Sequence, residues 1–130
     1  MGYDFKQPDC SQNPPCKIEV RQVGDVRIID FHGKILIGQG DDPLREAVRE
    51  LVDAGHTKVI LNLIDTPYVD SAGLGEISRC FIQLSRIGGR LKLLNPTRQI
   101  QDLLAITKLL TVFETYDSED EAVKSFARRF

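Results

Sequence analysis

The chain has 130 residues, of which 42% are hydrophobic and 28% are charged, and its formal net charge is −2. This length predicts one globular domain that can bury a core without a disulfide or a metal. The near-neutral charge argues against direct nucleic-acid binding, and no apolar run reaches the roughly 18 residues of a membrane span.

The first 16 residues are polar and rich in Pro, Asn and Gln, and we predict that residues 1–16 form a flexible tail. This tail lacks the basic start and apolar centre of a secretory signal. The odd number of cysteines favours a reduced, cytoplasmic chain. Cys10 and Cys16 match no common zinc-binding spacing, so we predict no metal site. Residues 17–130 are expected to form the folded domain.

The first half of the domain contains a hairpin, a helix and a buried strand. Apolar residues on both sides of Val23–Gly24–Asp25 predict the β-hairpin, and Gly33 closes its second strand. Asp42 is a good N-cap, Pro43 suits the first position of a helix, and Gly55 can end it. The nearly continuous apolar run "VILNL" then predicts a strand that is buried on both faces.

The second half alternates helices and strands. Apolar spacing predicts a helix from Ser71 to Gly88–Gly89, followed by the strand "RLKLLN" and a third helix from Asn95–Pro96. "LTVFETY" predicts a last short strand, and Ser118 with Glu121 forms a capping box for a fourth helix. The order β-β-α-β-α-β-α-β-α predicts an α/β domain with a mixed, mostly parallel sheet of about five strands.

The stretch "YVDSAGLGEI" connects the buried strand to the next helix. Such a connection lies at the carboxyl edge of the sheet, where α/β proteins usually have their binding sites. One interpretation is structural, because Asp70 or Ser71 can cap the helix. Gly73 and Gly75 then need another reason, since a glycine inside a helix costs about 1 kcal/mol relative to alanine. They indicate close approach either by a partner or by another part of the chain.

Three chemical interpretations of Ser71 also compete. The hydrolase motif for a serine nucleophile has a glycine at the position of Val69. A nucleophilic serine also needs a base, and neither His32 nor His56 has a sequence link to Ser71. The phosphate-binding loop motifs are absent, so no nucleotide cofactor is predicted. A phosphate on Ser71 would add about −1.5 to −2 charges next to Asp70, and could repel a partner without unfolding the helix.

The chain resembles the STAS-domain family, specifically the bacterial anti-sigma factor antagonists. The similarity covers about residues 18–127 and lies in "GKILIGQGDDPLREAVRELV", "KVILNLIDTPYVDSAGLGEI", "GGRLKLLN" and "ITKLLTVFETYDSEDEAV". The Asp-Ser-x-Gly-Leu-Gly motif after Asn62-Leu63 is quite specific for that family. The resemblance implies a small α/β domain whose helices lie largely on one face of the sheet.

The resemblance also implies a function. In the family, the serine directly after the motif aspartate, here Ser71, is phosphorylated by an anti-sigma factor serine kinase of the histidine-kinase-like ATPase fold. A serine phosphatase removes the phosphate. The unphosphorylated antagonist binds the kinase, which frees the sigma factor, and it is not itself an enzyme. The partner-binding residues expected here are Asp70, Ser71, Ala72, Gly73, Leu74, Gly75, Ile37, Gln39 and Asp41.

Two positions depart from the family pattern. Ala72 stands where many members have a second hydroxyl residue, and Leu36 stands where many have an acidic residue. STAS-like domains also act as non-switching subunits of lipid-transport ATPases and of larger signalling assemblies. This alternative remains open at the level of the sequence.

Overall fold

The computed structural model describes residues 17–34 and 43–127, and within them it has five strands and four helices. The strands are β1 Lys17–Val23, β2 Val26–His32, β3 Lys58–Asp65, β4 Arg90–Leu94 and β5 Thr115–Tyr116. The helices are α1 Pro43–Asp53, α2 Ser71–Arg86, α3 Arg98–Ile106 and α4 Glu119–Ala127. The predicted fold class is confirmed. The predicted tail, the Asp42 cap, and the positions Leu36, Ile37, Gln39 and Asp41 lie outside the described residues.

The strands form one sheet in chain order, β1-β2-β3-β4-β5. The hairpin strands β1 and β2 are antiparallel, as predicted, and β2 to β5 are parallel. The carboxyl ends of the parallel strands therefore meet at one edge of the sheet. Each helix begins at this edge, because each is the next element after a parallel strand. The four helix N-termini are thus placed beside the ends of β2, β3, β4 and β5.

Apolar layers cover both faces of the sheet, and β3 contributes to both of them. Its side chains alternate, so that Leu61 joins the larger core while Ile60 joins the smaller cluster on the other face. The larger core lies under α1, α2 and α3, and the smaller one under α4. Three helices on one face and one on the other agree with the expectation that the helices lie largely on one face.

The glycine pair after α2 allows β4 to begin beside β3. Gly88 has a φ of +80°, a conformation that favours glycine. The N–H of Gly89 donates to the carbonyl oxygen of Leu84 (2.8 Å), which ends the helix. A Cβ at Gly89 would lie 2.6 Å from the carbonyl oxygen of Thr57. That oxygen instead accepts a hydrogen bond from the N–H of Arg90, the first residue of β4 (2.9 Å).

The predicted start of the third helix was wrong by two residues. The helix begins at Arg98 rather than Pro96, and its N-cap is Thr97, whose hydroxyl accepts a hydrogen bond from the N–H of Ile100 (3.4 Å). Asn95 has a φ of +56°, so the chain turns sharply before the helix begins. Asparagine is one of the few residues that tolerate this left-handed conformation, and here it serves the turn rather than the cap.

The last strand is shorter than predicted. The prediction covered residues 110–116, whereas β5 consists of Thr115–Tyr116 alone. The N–H of Phe113 donates to the carbonyl oxygen of Leu109 (3.2 Å), which closes a turn after α3. The Phe113 ring packs edge-on against Phe81 of α2, with ring centroids 5.1 Å apart. The apolar residues of this segment therefore anchor a turn to the core, which a short apolar pattern cannot distinguish from a strand.

Candidate functional site

The helix α2 begins at the carboxyl edge of the sheet, and Asp70 is its N-cap. Asp70 has an extended backbone, and its side-chain Oδ1 accepts a hydrogen bond from the N–H of Gly73 (2.7 Å). Its carbonyl oxygen accepts from the N–H of Leu74 (2.9 Å), the first hydrogen bond of the helix. Of the two caps considered from the sequence, the structure selects Asp70. Ser71 is the first helical residue and is not needed as a cap.

The side chain of Ser71 is exposed, as is that of Ala72. Among the described residues, none forms a hydrogen bond with the Ser71 hydroxyl. The first turn of α2 carries no acidic residue. Because the first N–H groups of a helix and its dipole favour negative charge, an anionic group on Ser71 would be electrostatically compatible with the folded chain.

The remaining predicted contact residues of α2 separate into two groups. Gly73 and Leu74 are buried, and Leu74 belongs to the larger core. Gly75 is exposed, and a Cβ built on it would meet nothing within 4 Å among the residues that the structure describes. Packing against the described residues therefore does not require glycine at position 75. Together with Ser71 and Ala72, Gly75 forms an exposed surface of small residues, which we call the small-residue surface.

The segment that carries Ser71 is held at two points before the helix begins. Thr66 is fully buried, and its hydroxyl donates to the carbonyl oxygen of Phe31 in β2 (2.9 Å). Val69 is also fully buried, and both of its backbone polar groups bond to the side-chain amide of Gln99 in α3. Neither Thr66 nor Gln99 was predicted from the sequence to belong to the site. No local signal marks Gln99, because its partner lies 30 positions earlier in the chain.

One turn along α2, charged residues replace the small ones. Glu76 accepts hydrogen bonds from Arg45 of α1 (3.2 Å) and from Arg79 of its own helix (3.3 Å). The side chain of Arg79 is 66% exposed, and that of Ile82, one turn further, lies in the same outward direction and is 48% exposed. The outer face of α2 therefore continues from the small-residue surface into a basic and apolar stretch.

The two histidines lie away from Ser71. His32, at the end of β2, contacts Asp65 through Nδ1 (2.8 Å) and Glu19 through Nε2 (3.4 Å). His56 follows α1 and its N–H donates to the carbonyl oxygen of Leu51 (2.9 Å). Within residues 17–34 and 43–127, no hydrogen bond joins either histidine to Ser71. This arrangement does not supply the adjacent base that a serine nucleophile needs.

A charged network on the opposite face of the sheet holds α4 in place. Asp30 is only 8% exposed and accepts hydrogen bonds from Nε of Arg21 (2.6 Å) and from the side-chain amide of Asn62 (2.8 Å). Arg21 also donates to Glu119 in the first turn of α4 (3.0 Å). Burial acts to raise the pKa of Asp30, but the hydrogen bonds from Arg21 and Asn62 outweigh it, so the pKa lies below its usual range.

The described part of the chain offers neither a metal site nor a membrane span. No group of three His, Cys, Asp or Glu side chains in that part comes together in a way that could hold a metal ion. No helix in the same part has the length and apolar character needed to span a bilayer.

Comparison with known proteins gives consistent matches. The STAS domain model matches residues 17–122. A Thermotoga neapolitana protein, named as a candidate anti-sigma factor antagonist, is 31% identical over 80 residues, which make up 62% of this chain and 71% of that protein. The crystal structure of a candidate anti-sigma factor antagonist from Thermotoga maritima has a TM-score of 0.79 at 27% identity, covering 85% of this chain and 95% of that one.

A more distant structure shares the fold. The Bacillus cell fate determinant SpoIIAA in its phosphorylated form is 20% identical, with a TM-score of 0.67 over 85% of this chain and 99% of that chain.

Proposed function

The chain belongs to the STAS domain family, and on this premise we propose that it is an anti-sigma factor antagonist that phosphorylation of Ser71 switches off. In its unphosphorylated form it binds an anti-sigma factor serine kinase of the histidine-kinase-like ATPase fold and thereby releases a sigma factor. The observation that carries the proposal is the position of Ser71, exposed on the first turn of α2, while Asp70 does the capping.

The small-residue surface is suited to close contact with a partner. Ser71, Ala72 and Gly75 are exposed and have little or no side chain, so another backbone can approach the helix. Gly75 costs the helix about 1 kcal/mol relative to alanine, a cost that internal packing does not explain. A partner pressed against this surface explains it. Arg79 and Ile82 would extend the contact along α2.

Phosphorylation would affect the free chain and the complex differently. In the free chain, the phosphate would be solvated at a helix N-terminus, where its charge is tolerated. In the complex, the same charge would be desolvated against the partner and would lie next to the carboxylate of Asp70. The complex should therefore dissociate while the antagonist stays folded, and a serine phosphatase would restore binding.

In this scheme the kinase performs the chemistry. It transfers the γ-phosphoryl group of ATP to Oγ of Ser71, ADP leaves, and the hydroxyl proton passes to a base of the kinase. The chain itself then acts as substrate and ligand, needs no cofactor, and is expected to work in the cytoplasm. The relatives named as antagonists, and the existence of a phosphorylated form of SpoIIAA, support this proposal.

The test begins by capturing the kinase from a native-host lysate with the wild-type chain and purifying it. Its affinity is then measured for wild type, Ser71→Ala, Ser71→Asp and Thr111→Asp. The last variant is the control, because Thr111 is exposed in the turn after α3, outside α2, and the substitution adds the same charge. We expect Ser71→Asp to weaken binding about tenfold or more, about 1.4 kcal/mol, and Thr111→Asp to leave it unchanged.

Ser71→Ala should bind like wild type but should not be released when ATP is added. Release of Ser71→Ala by ATP at the wild-type rate would contradict the switch. Equal affinity of Ser71→Asp and wild type for a captured transport ATPase or scaffold would support the non-switching role instead.

A further inference from the structure

Gln99 forms a pair of hydrogen bonds with the backbone of Val69. The N–H of Val69 donates to Oε1 of Gln99 (3.0 Å), and Nε2 of Gln99 donates to the carbonyl oxygen of Val69 (3.0 Å). The planar side-chain amide thus pairs with one residue in the way that a neighbouring strand would. Val69 is fully buried, so neither of its backbone groups has water as an easy substitute partner.

This pair fixes the backbone on one side of Ser71, and the cap fixes it on the other. Val69 lies two positions before Ser71 and is held by Gln99, while Gly73 lies two positions after it and is held by Asp70 (2.7 Å). Residues 66–70 lie between β3 and α2, and in this segment Val69 takes part only in an isolated β-bridge. The hydrogen bonds from Gln99 of α3 add to the support of this short segment.

The position of Gln99 is itself well determined. It is the second residue of α3, which has Thr97 as its N-cap and begins at Arg98. The helix is anchored by Ile100 and Leu104, both fully buried in the larger core. The amide therefore projects from the fixed start of a packed helix rather than from a loop.

We propose that Gln99 is a positioning residue that holds the Ser71 hydroxyl in the geometry needed for phosphoryl transfer. The inference rests on the proposed function, since it concerns the same serine. In-line transfer requires the attacking oxygen within about 3–3.5 Å of the phosphorus, and a displacement of about 1 Å can cost on the order of 100-fold in rate. Gln99 does not contact the kinase or the phosphate in this scheme, and it acts through the backbone of Val69.

The test measures kcat and KM for phosphorylation of the full chain by its kinase and ATP, comparing wild type with two Gln99 variants. Gln99→Met keeps the length of the side chain but removes both hydrogen bonds. Gln99→Glu keeps the acceptor for the Val69 N–H but places a carboxylate against the Val69 carbonyl oxygen. Gln101→Met is the matched control, because Gln101 lies on the same helix and its amide bonds only to Pro96 among the described residues (3.0 Å).

We expect both Gln99 variants to lower kcat about tenfold or more, with KM within about threefold of wild type, and Gln101→Met to behave like wild type. Hydrogen exchange gives a second readout, because the Val69 amide should exchange faster in Gln99→Met while amides of β3 keep their protection. The retained protection of β3 also shows that the variant is folded.

Two results would overturn the inference. One is an unchanged kcat and KM in both Gln99 variants. The other is a rise in KM with an unchanged kcat, which would mean that Gln99 affects binding of the kinase. A fall in kcat of the same size in Gln101→Met would also count against it.

If wild type receives no phosphate on Ser71, the proposed function fails. If the kinase phosphorylates wild type and both Gln99 variants equally well, only the positioning role of Gln99 is refuted.

Discussion

The starts of α2 and α4 are built alike but differ in where their negative charge lies. Both helices begin at the carboxyl edge of the sheet and have a side-chain cap, Asp70 bonding to Gly73 (2.7 Å) and Ser118 bonding to Glu121 (3.4 Å). The first turn of α4 carries three acidic residues, whereas that of α2 carries none. Both helix dipoles favour negative charge in this position. The start of α4 therefore has carboxylates within its first turn, while the start of α2 has only the carboxylate of its N-cap, Asp70.

The negative charge of α4 is also bound within the protein. Arg21 of β1 donates to both Glu119 (3.0 Å) and Asp30 (3.1 Å), which links α4 to the sheet. The α2 start instead presents exposed Ser71 and Ala72. The carboxylates in the first turn of α4 thus contribute to stability, whereas the first turn of α2 has an exposed hydroxyl, which in the proposed function gains and loses a phosphate.

The largest effect is expected from breaking the network at α4. Arg21→Met keeps most of the side-chain length but leaves the carboxylate of Asp30, only 8% exposed, without its main partner. An unpaired buried charge costs about 2 kcal/mol or more, so urea unfolding should show a loss of that size. Lys17→Met on the same strand is the control. Its pair with Glu19 is exposed on both sides, and a loss below about 0.5 kcal/mol is expected.

The two caps offer a direct comparison of the helix starts. Asp70→Ala removes the acceptor at 2.7 Å and should lower the free energy of unfolding by about 1 kcal/mol. Ser118→Ala removes a longer bond, 3.4 Å, and should cost less. Denaturant unfolding of both variants measures the difference. An unchanged free energy of unfolding in Asp70→Ala would contradict the assignment of Asp70 as the N-cap of α2.

Gly75→Ala should separate stability from binding. A Cβ at this position meets nothing within 4 Å, so alanine should stabilise α2 by about 0.8 kcal/mol. The added methyl group would also project from the small-residue surface and weaken kinase binding. Gly24→Ala is the control, because Gly24 also has open space but a φ of +63°, and alanine there should destabilise the chain. A stabilised Gly75→Ala variant with wild-type affinity would exclude position 75 from the interface.

The smallest effect is expected in the dependence of stability on pH. The pKa of Asp30 is lower in the folded chain than in the unfolded chain, because hydrogen bonds from Arg21 and Asn62 outweigh the effect of burial. Its ionised form therefore stabilises the fold above the unfolded pKa of about 3.9, and this contribution is lost as the pH falls through the folded pKa. The free energy of unfolding should fall with pH in this window, and the slope should be shallower in Asp30→Asn.

A slope in Asp30→Asn equal to that of wild type would show that Asp30 does not contribute. A residual slope is expected, because the hydrogen bond from Lys58 also lowers the pKa of Asp25.

The sequence by itself determined the order of the elements and the place of the candidate site. Helix periodicity, the buried run of β3, and the turn at Gly24 are local patterns, and each corresponds to an element of the structure. The segment around Asp70 and Ser71 was also visible, because capping residues and glycines act within a few positions of one another. The Asp-Ser-x-Gly-Leu-Gly motif, which indicated the family, is also a local pattern of neighbouring residues.

Only the tertiary structure decided how that site is supported. The bonds between Gln99 and Val69 join residues 30 positions apart, and those between Arg21 and Glu119 join residues 98 positions apart. A side chain on one element gives no sign of which distant backbone group it will meet. The shortness of β5 has the same origin, since Phe113 is drawn into the core against Phe81. Local patterns fix what each segment tends to form, while long-range packing selects its partners.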